Sequence, residues 1–174
     1  MLAGLGTKQS DHLRFSASQV GLLDALLAAQ PEATFDAVFD QARQRLKSFT
    51  GVAACDPVDS FTGTLRGYQR EGLGWLHFLQ EFQFNGCLAD DMGLGKTVQV
   101  LALLDSRRKL RAELLPEKRP GPSLVVVPKT LFFNWKQEAA KFAPKLRLLD
   151  HTGIERIKAN EHFDDFDLIV TTYG

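Results

Sequence analysis

The chain has 174 residues, 44% hydrophobic and 24% charged, with a formal net charge of zero. That length buries one good core with a small appendage at most, and the composition is that of an ordinary globular protein. The charge balance excludes a global basic field that would by itself announce nucleic acid: residues 1–64 carry 5 basic and 7 acidic side chains, and residues 65–174 carry 16 and 14.

The N-terminus, "MLAGLGTKQSDHLRF", has no charged region followed by an apolar one, so no signal peptide is expected there. No stretch approaches the ~18 apolar residues of a membrane helix. Of the two cysteines, Cys87 is expected in a buried strand and Cys55 in a linker. A disulfide is therefore not expected, and a zinc site has too few ligands. A reducing, intracellular compartment follows as the expectation.

Residues 1–17 read as a frayed start. Ser18 precedes a short helix, "QVGLLDALLAAQ", that stops at Pro31. In the next segment Phe35, Val38, Phe39, Ala42, Leu46 and Phe49 recur at helical spacing, with Thr34 or Asp36 as cap. Residues 1–49 are thus expected to be a helical appendage, either plain packing helices or a partner-binding device. Residues 50–64, "TGVAACDPVDSFTGT", have linker composition.

From Leu65 the pattern alternates. Helices are expected over 66–82, 95–108 and 130–141, with a short one near 153–160. Strands are expected at "GCLA" (86–89), "SLVVVP" (123–128), "LRLLD" (146–150) and "DLIVTT" (167–172). Strands separated by helices predict right-handed crossovers and a mainly parallel sheet covered by helices. Residues 107–122 read as a polar insertion bearing prolines, and 107–119 hold six basic and two acidic residues, a rival candidate site for DNA.

Within "CLADDMGLGKTVQV", the glycines of "MGLGKT" allow a tight turn that points backbone amides at phosphate oxygens. Lys96 would reach the β- and γ-phosphates, the Thr97 hydroxyl would ligate magnesium, and the helix that starts there adds its positive end. The generic phosphate-loop pattern has glycine or alanine five positions before Gly95, where this chain has Asp90. A carboxylate there would repel a γ-phosphate. Asp90 and Asp91 are expected to point away, capping the turn or pairing with a basic neighbour; the alternative is that they order water around the metal.

"LADDMGLGKT" resembles motif I of the Swi/Snf-type DNA-dependent ATPases of helicase superfamily two. "LRGYQREGLGWL" (65–76) resembles that family's Q motif, "VVVPKTLFFNW" (125–135) its motif Ia, and "HTG" (151–153) and "TTYG" (171–174) its next two DNA-facing motifs. The resemblance covers 65–174 and implies an α/β, P-loop RecA-like fold: a mainly parallel sheet with helices on both faces, here a truncated first lobe. It implies ATP and Mg2+ as cofactors. Arg66, Tyr68 and Gln69 would form the base pocket, and Met92, Gly93, Leu94, Gly95, Lys96, Thr97 and Val98 the phosphate site. Lys96 and Thr97 would be catalytic.

A glutamine offers one acceptor and two donors, which suits an adenine edge; its plain alternative is a surface helix glutamine. Trp75 and Trp135 are expected to be core residues. Lys129, Thr130, Thr152, Gly153, Thr171 and Thr172 follow strand ends, the edge where ligands of open α/β sheets bind. Singly they are ordinary caps and turn formers; together they suggest a track for one DNA strand, contacting phosphates without reading sequence.

Hydrolysis needs a second metal-holding acid, normally an Asp-Glu pair after another apolar strand. Asp150 ends a run interrupted by Arg147, and "FDDFD" (163–167) precedes its strand, so neither fits. In the family that acid segment follows "TTYG". The expectation is therefore the ATP-binding part of a larger double-stranded DNA translocase that remodels protein–DNA complexes. This chain alone would be inactive, and its partners would be duplex DNA, DNA-bound proteins and the parent's second ATPase lobe. Location would be the nucleoid-bearing cytoplasm or a nucleus. The alternatives are another P-loop ATPase or nucleotide kinase, and a non-catalytic docking module.

Overall fold

A computed structural model describes residues 6–9, 12–27, 34, 36–153 and 160–173. It divides into two compact units. The smaller comprises residues 1–52 and 77–87, the larger 53–76 and 88–174.

In the smaller unit, strands β1 (Thr7–Gln9) and β2 (His12–Arg14) pair antiparallel, Thr7 opposite Arg14. Within the stretch expected to fray, the described residues therefore hold an antiparallel ladder. A 3-10 turn at Ala17–Gln19 leads into α1 (Val20–Leu27), which buries Val20 and Leu23. Helix α2 (Ala37–Lys47) starts at Asp36, whose carboxylate accepts from the Phe39 amide at 2.7 Å, so Asp36 rather than Thr34 is the cap.

The α2 stripe is less buried than its spacing predicts. None of its residues is buried, and Val38 is 76% exposed. Val38, Phe39 and Ala42 line a cavity of about 520 Å³ with Leu13, Val20 and Leu23, so the stripe faces a loosely filled space and not a packed core. Phe35 lies outside the described residues. Asp24 of α1 ties the helices together by ion pairs to Arg43 and Lys47. Phe49 stacks on Phe78, which with Phe82 and Phe84 forms an aromatic cluster.

Helix α3 (Gly67–Phe82) contributes its first part to the larger unit and its last turns to the smaller. It ends where Gln83 takes a left-handed φ of +54°. In the larger unit, α4 (Lys96–Glu113) is longer than expected and absorbs the first half of the presumed insertion. It stops at Leu114, two residues before Pro116, which cannot continue it. Strand β3 (Ser123–Val127) runs into Pro128 and then α5 (Lys129–Phe142), which stops at Ala143, just before Pro144. Strands β4 (Leu148–Asp150) and β5 (Leu168–Thr172) complete a parallel sheet of order β3-β5-β4. The helix expected near 153–160 falls largely outside the described residues.

The expected strand at 86–89 is not formed, and Cys87 is exposed instead of buried. A strand needs a partner ladder for its backbone groups. Among the described residues β3 and β4 pair only with β5, so 86–89 has none.

Strand β5 is central, and its four residues Leu168–Thr171 are all buried, as expected for a strand covered on both faces. Edge strand β3 alternates instead: Leu124 is 62% and Val126 43% exposed while Val127 is buried. The core gathers Leu73 from α3, Leu101 and Leu104 from α4, Ala139 from α5, and Leu168 and Val170 from β5. Full burial of each leucine contributes about 1.5–3 kcal/mol. Trp135 packs against this core, as expected. So does Phe61, which brings the linker-like segment onto the larger unit, where the Thr62 amide donates to the Phe142 carbonyl at 2.7 Å.

Candidate functional site

The turn before α4 has the shape its glycines predict. Gly93 and Gly95 take φ of +85° and +80°. Gly95 is also the N-cap of α4 and offers no side chain to its first-turn amides, which are left for an external acceptor. A methyl group at Gly95 would stand 2.6 Å from Gln69 Nε2, so position 95 is restricted by space as well as by φ.

Lys96 reaches back over its own loop. Its ammonium donates to the carbonyls of Asp90 at 2.6 Å and Asp91 at 2.9 Å. A lysine has three N–H donors, so one remains for a phosphate oxygen. The Thr97 hydroxyl makes no hydrogen bond to any described residue. Met92 is 95% exposed at the lip. A cleft of about 630 Å³ opens beside the loop, lined by Gly93, Lys96 and Thr97 on one side and by Glu138, Lys141 and Phe142 of α5 on the other.

Asp90 points away from the cleft, as expected, but its partner is an amide and not a base. Its Oδ2 accepts from Gln99 Nε2 at 3.0 Å. Gln99 is fully buried, and a methyl group at Gly72 of α3 would meet its Oε1 at 1.8 Å. Gly72, Gln99 and Asp90 therefore form one contact that joins α3, α4 and the loop. Sequence reading missed it. The available signal was the acidic residue at the generic small-residue position.

The base-pocket candidates close on the same loop. Gln69 is buried; its Oε1 accepts from the Arg66 amide at 2.9 Å and its Nε2 donates to the Leu94 carbonyl at 3.0 Å. The Tyr68 hydroxyl donates to that carbonyl too, at 3.0 Å. Gln69 is thus a loop brace here, with its amide engaged at both ends.

The strand-end residues are gathered at one sheet edge, but they differ. Lys129 and Thr130 open α5 exposed, with no side-chain partner among the described residues. Thr152 donates to Asp150 Oδ1 at 2.7 Å, and Gly153 takes φ +70°. Thr171 does not fit the expected role: it is buried and its hydroxyl donates to the His151 carbonyl at 2.8 Å, joining two strand ends internally. The basic patch over 107–119 is also depleted. Arg108 is paired with Asp105 and bonded to Ser60, and Arg111 is buried against Asp167.

The SNF2-related domain matches residues 68–174, well over half of the chain. The chain belongs to that family. It is 40% identical over 118 residues to the "Putative ATP-dependent helicase/translocase YwqA" of Bacillus subtilis, which covers 66% of this chain and 12% of that protein. It is 38% identical over 148 residues to "Helicase SWR1" of Kluyveromyces lactis, covering 77% and 9%. The SWI2/SNF2 ATPase core of Sulfolobus solfataricus, solved in complex with dsDNA, superposes with TM-score 0.57 at 37% identity, over 72% of this chain and 24% of that one. The same core solved as a domain gives 0.58. The resemblance to Swi/Snf-type ATPases and the α/β RecA-like fold are borne out, and nucleotide use is the property of this family. The chain spans about a tenth of its curated relatives and about a quarter of the solved cores.

The site fits a nucleotide's phosphate chain: an uncapped helix N-terminus, two left-handed glycines, an ammonium with a spare donor and an open cleft. Among the described residues no group of three or more acidic, histidine or cysteine side chains converges as a metal site would require.

Proposed function

We propose that this chain is the ATP-binding portion of a DNA-stimulated ATPase that moves along double-stranded DNA and displaces or remodels bound proteins. The observation that carries it is the braced phosphate loop: Lys96 held over an uncapped helix start while Gln69 and Tyr68 pin the Leu94 carbonyl. The loop amides and Lys96 would hold the β- and γ-phosphates of ATP, and Thr97 the magnesium. Bound Mg2+–ATP supplies the scissile phosphoanhydride and a cation that offsets its charge. Lys96 stabilises charge on the γ-phosphate, and α4 orients it by its positive end.

Lys129, Thr130, Thr152, Gly153 and Thr172 would meet one DNA strand through its phosphates, sequence-independently. A second ATPase lobe of the same parent would complete the clamp, so a compartment that holds DNA, nucleoid or nucleus, is where it would act. Asp150 is engaged by Thr152 and Lys136, which supports the reading that another acid completes the metal site.

The test is calorimetry of Mg2+–ATP and Mg2+–GTP on this chain and on Lys96→Ala. Measurable ATP binding that the substitution weakens about tenfold or more is expected. Binding unchanged in Lys96→Ala would sink the reading.

A further inference from the structure

Opposite the phosphate loop, at the amino-terminal edge of the sheet, a second polar cavity of about 200 Å³ is walled by Arg108, Arg111, Arg119, Lys145, Arg147 and Asp167. Asp167 stands just before β5 and Arg147 just before β4, so this edge is the far end of the strands from Lys129 and Thr152. Five cations and one carboxylate line it.

The carboxylate is shared. Asp167 accepts from Arg147 at 2.9 and 3.0 Å and from Arg111 at 3.1 Å. Arg108 is neutralised by Asp105. That leaves Lys145 with no ion pair among the described residues, and Arg119 with only the neutral carbonyl of Leu114. The outer acid Asp164 is solvent-exposed and stands 3.9 Å from Arg111. Asp165, also exposed, lies close enough to Arg147 to interact electrostatically.

Arg111 supplies an independent sign of too few acceptors. Its side chain is 9% exposed, its terminal nitrogens bond the Phe166 and Asp164 carbonyls and Asp167, and its Nε has no hydrogen-bond partner among the described residues. Buried donors are nearly always satisfied, so an orphan guanidinium nitrogen behind a cavity of this charge calls for an explanation. A cavity of this size holds several waters or one phosphate-sized group.

We propose that this cavity is a second phosphate-binding site, distinct from the one at Lys96. Its chemistry is that of a phosphate oxyanion, either free or in a nucleic-acid backbone. Lys145 and Arg119 provide the mobile donors, and the Arg111–Asp167–Arg147 triad provides a fixed wall with net positive charge.

The experiment is calorimetric titration of pyrophosphate, and separately of a short DNA duplex, into the full chain carrying Lys96→Ala, which disables the nucleotide cradle. Pyrophosphate should still bind, and Lys145→Glu and Arg119→Glu should each weaken it about tenfold or more, the loss of one charge-assisted contact. Lys145→Arg should retain binding. Both Lys145 and Arg119 are exposed, so the fold survives these changes, and a thermal melt confirms it. If the duplex displaces pyrophosphate and shows the same sensitivity, the phosphate comes from nucleic acid; if only pyrophosphate does, it is a free anion. No binding in Lys96→Ala, or binding of both ligands indifferent to Lys145→Glu and Arg119→Glu, overturns the proposal. Because the cradle is already disabled, that failure leaves the ATP reading untouched.

Discussion

Gln69 donates from Nε2 to the carbonyl of Leu94 at 3.0 Å, so a helix residue 25 positions away fixes the apex of the phosphate loop. Removing the amide leaves that carbonyl with the Tyr68 hydroxyl alone and frees the Arg66 N–H. Gln69→Ala should destabilise the larger unit by about 1–3 kcal/mol, the cost of unsatisfied buried groups. Urea unfolding reads this directly. Unchanged stability with loss of base discrimination alone would mean that Gln69 is a base reader and not a brace.

A second prediction concerns Gly72. An added methyl would meet Gln99 Oε1 at 1.8 Å and push that side chain from Asp90. Gly72→Ala should cost about 1–3 kcal/mol by overpacking. The double variant Gly72→Ala/Gln99→Ala should recover part of that loss, because the clash has gone. A strictly additive pair in denaturant titrations would rule out the contact.

How much of this was legible? Helices α3, α4 and α5 and strands β3, β4 and β5 were, since proline stops, glycine turns and apolar runs act locally. The loop bearing Lys96 and Thr97 was legible for the same reason. Strand 86–89 was not, because pairing is decided by a partner the segment does not contain. Gln99, Arg111 and Asp167 were missed because nothing in an isolated glutamine, arginine or aspartate says that it will be buried; only the fold brings residues 56 apart into contact. Thr171 shows the same limit, its hydroxyl spent on a neighbouring strand end.

Lys96→Ala should reduce nucleotide affinity roughly tenfold to a hundredfold, since a charge-assisted hydrogen bond contributes about 1.5–3 kcal/mol. It also frees the carbonyls of Asp90 and Asp91, so faster amide exchange around residues 90–95 should accompany it. Exchange that stays unchanged would show that the lysine does not hold the loop.

Acid should loosen the larger unit through Asp167. Burial raises its carboxyl, but the hydrogen bonds from the Arg147 side chain and backbone, with the charges of Arg147 and Arg111, outweigh that and hold it below the ordinary carboxylate range. A carboxyl depressed in the folded state binds protons more readily when unfolded. Its stabilisation is therefore complete above the unfolded value and is lost as pH falls through the folded one. Asp167→Asn should flatten the acid limb of a stability–pH curve. It should also lower stability at neutral pH, because the buried Arg111 loses its carboxylate while the largely exposed Arg147 stays solvated. An acid limb identical in both proteins contradicts the assignment.

For DNA, Lys129→Glu should weaken binding and reduce its salt dependence by about one phosphate contact. Thr171→Val should leave it unchanged, because that hydroxyl already serves His151. Filter binding at several salt concentrations separates the two, and equal loss in both variants would place the track elsewhere.

The bare flank of β3 has a practical consequence for anyone handling this polypeptide. Leu124 and Val126 stand exposed on an uncharged run of strong strand formers, and one side of its backbone lacks a ladder among the described residues. Such a margin is a template for cross-chain pairing and amyloid-type growth. The segment is bracketed by Pro120 and Pro122 before it and Pro128 after it, residues that cannot donate to a growing ladder and so act as gatekeepers. Solubility of the isolated polypeptide should thus depend on those three prolines more than on its net charge, and replacing Pro122 or Pro128 should lower the concentration at which it begins to clump.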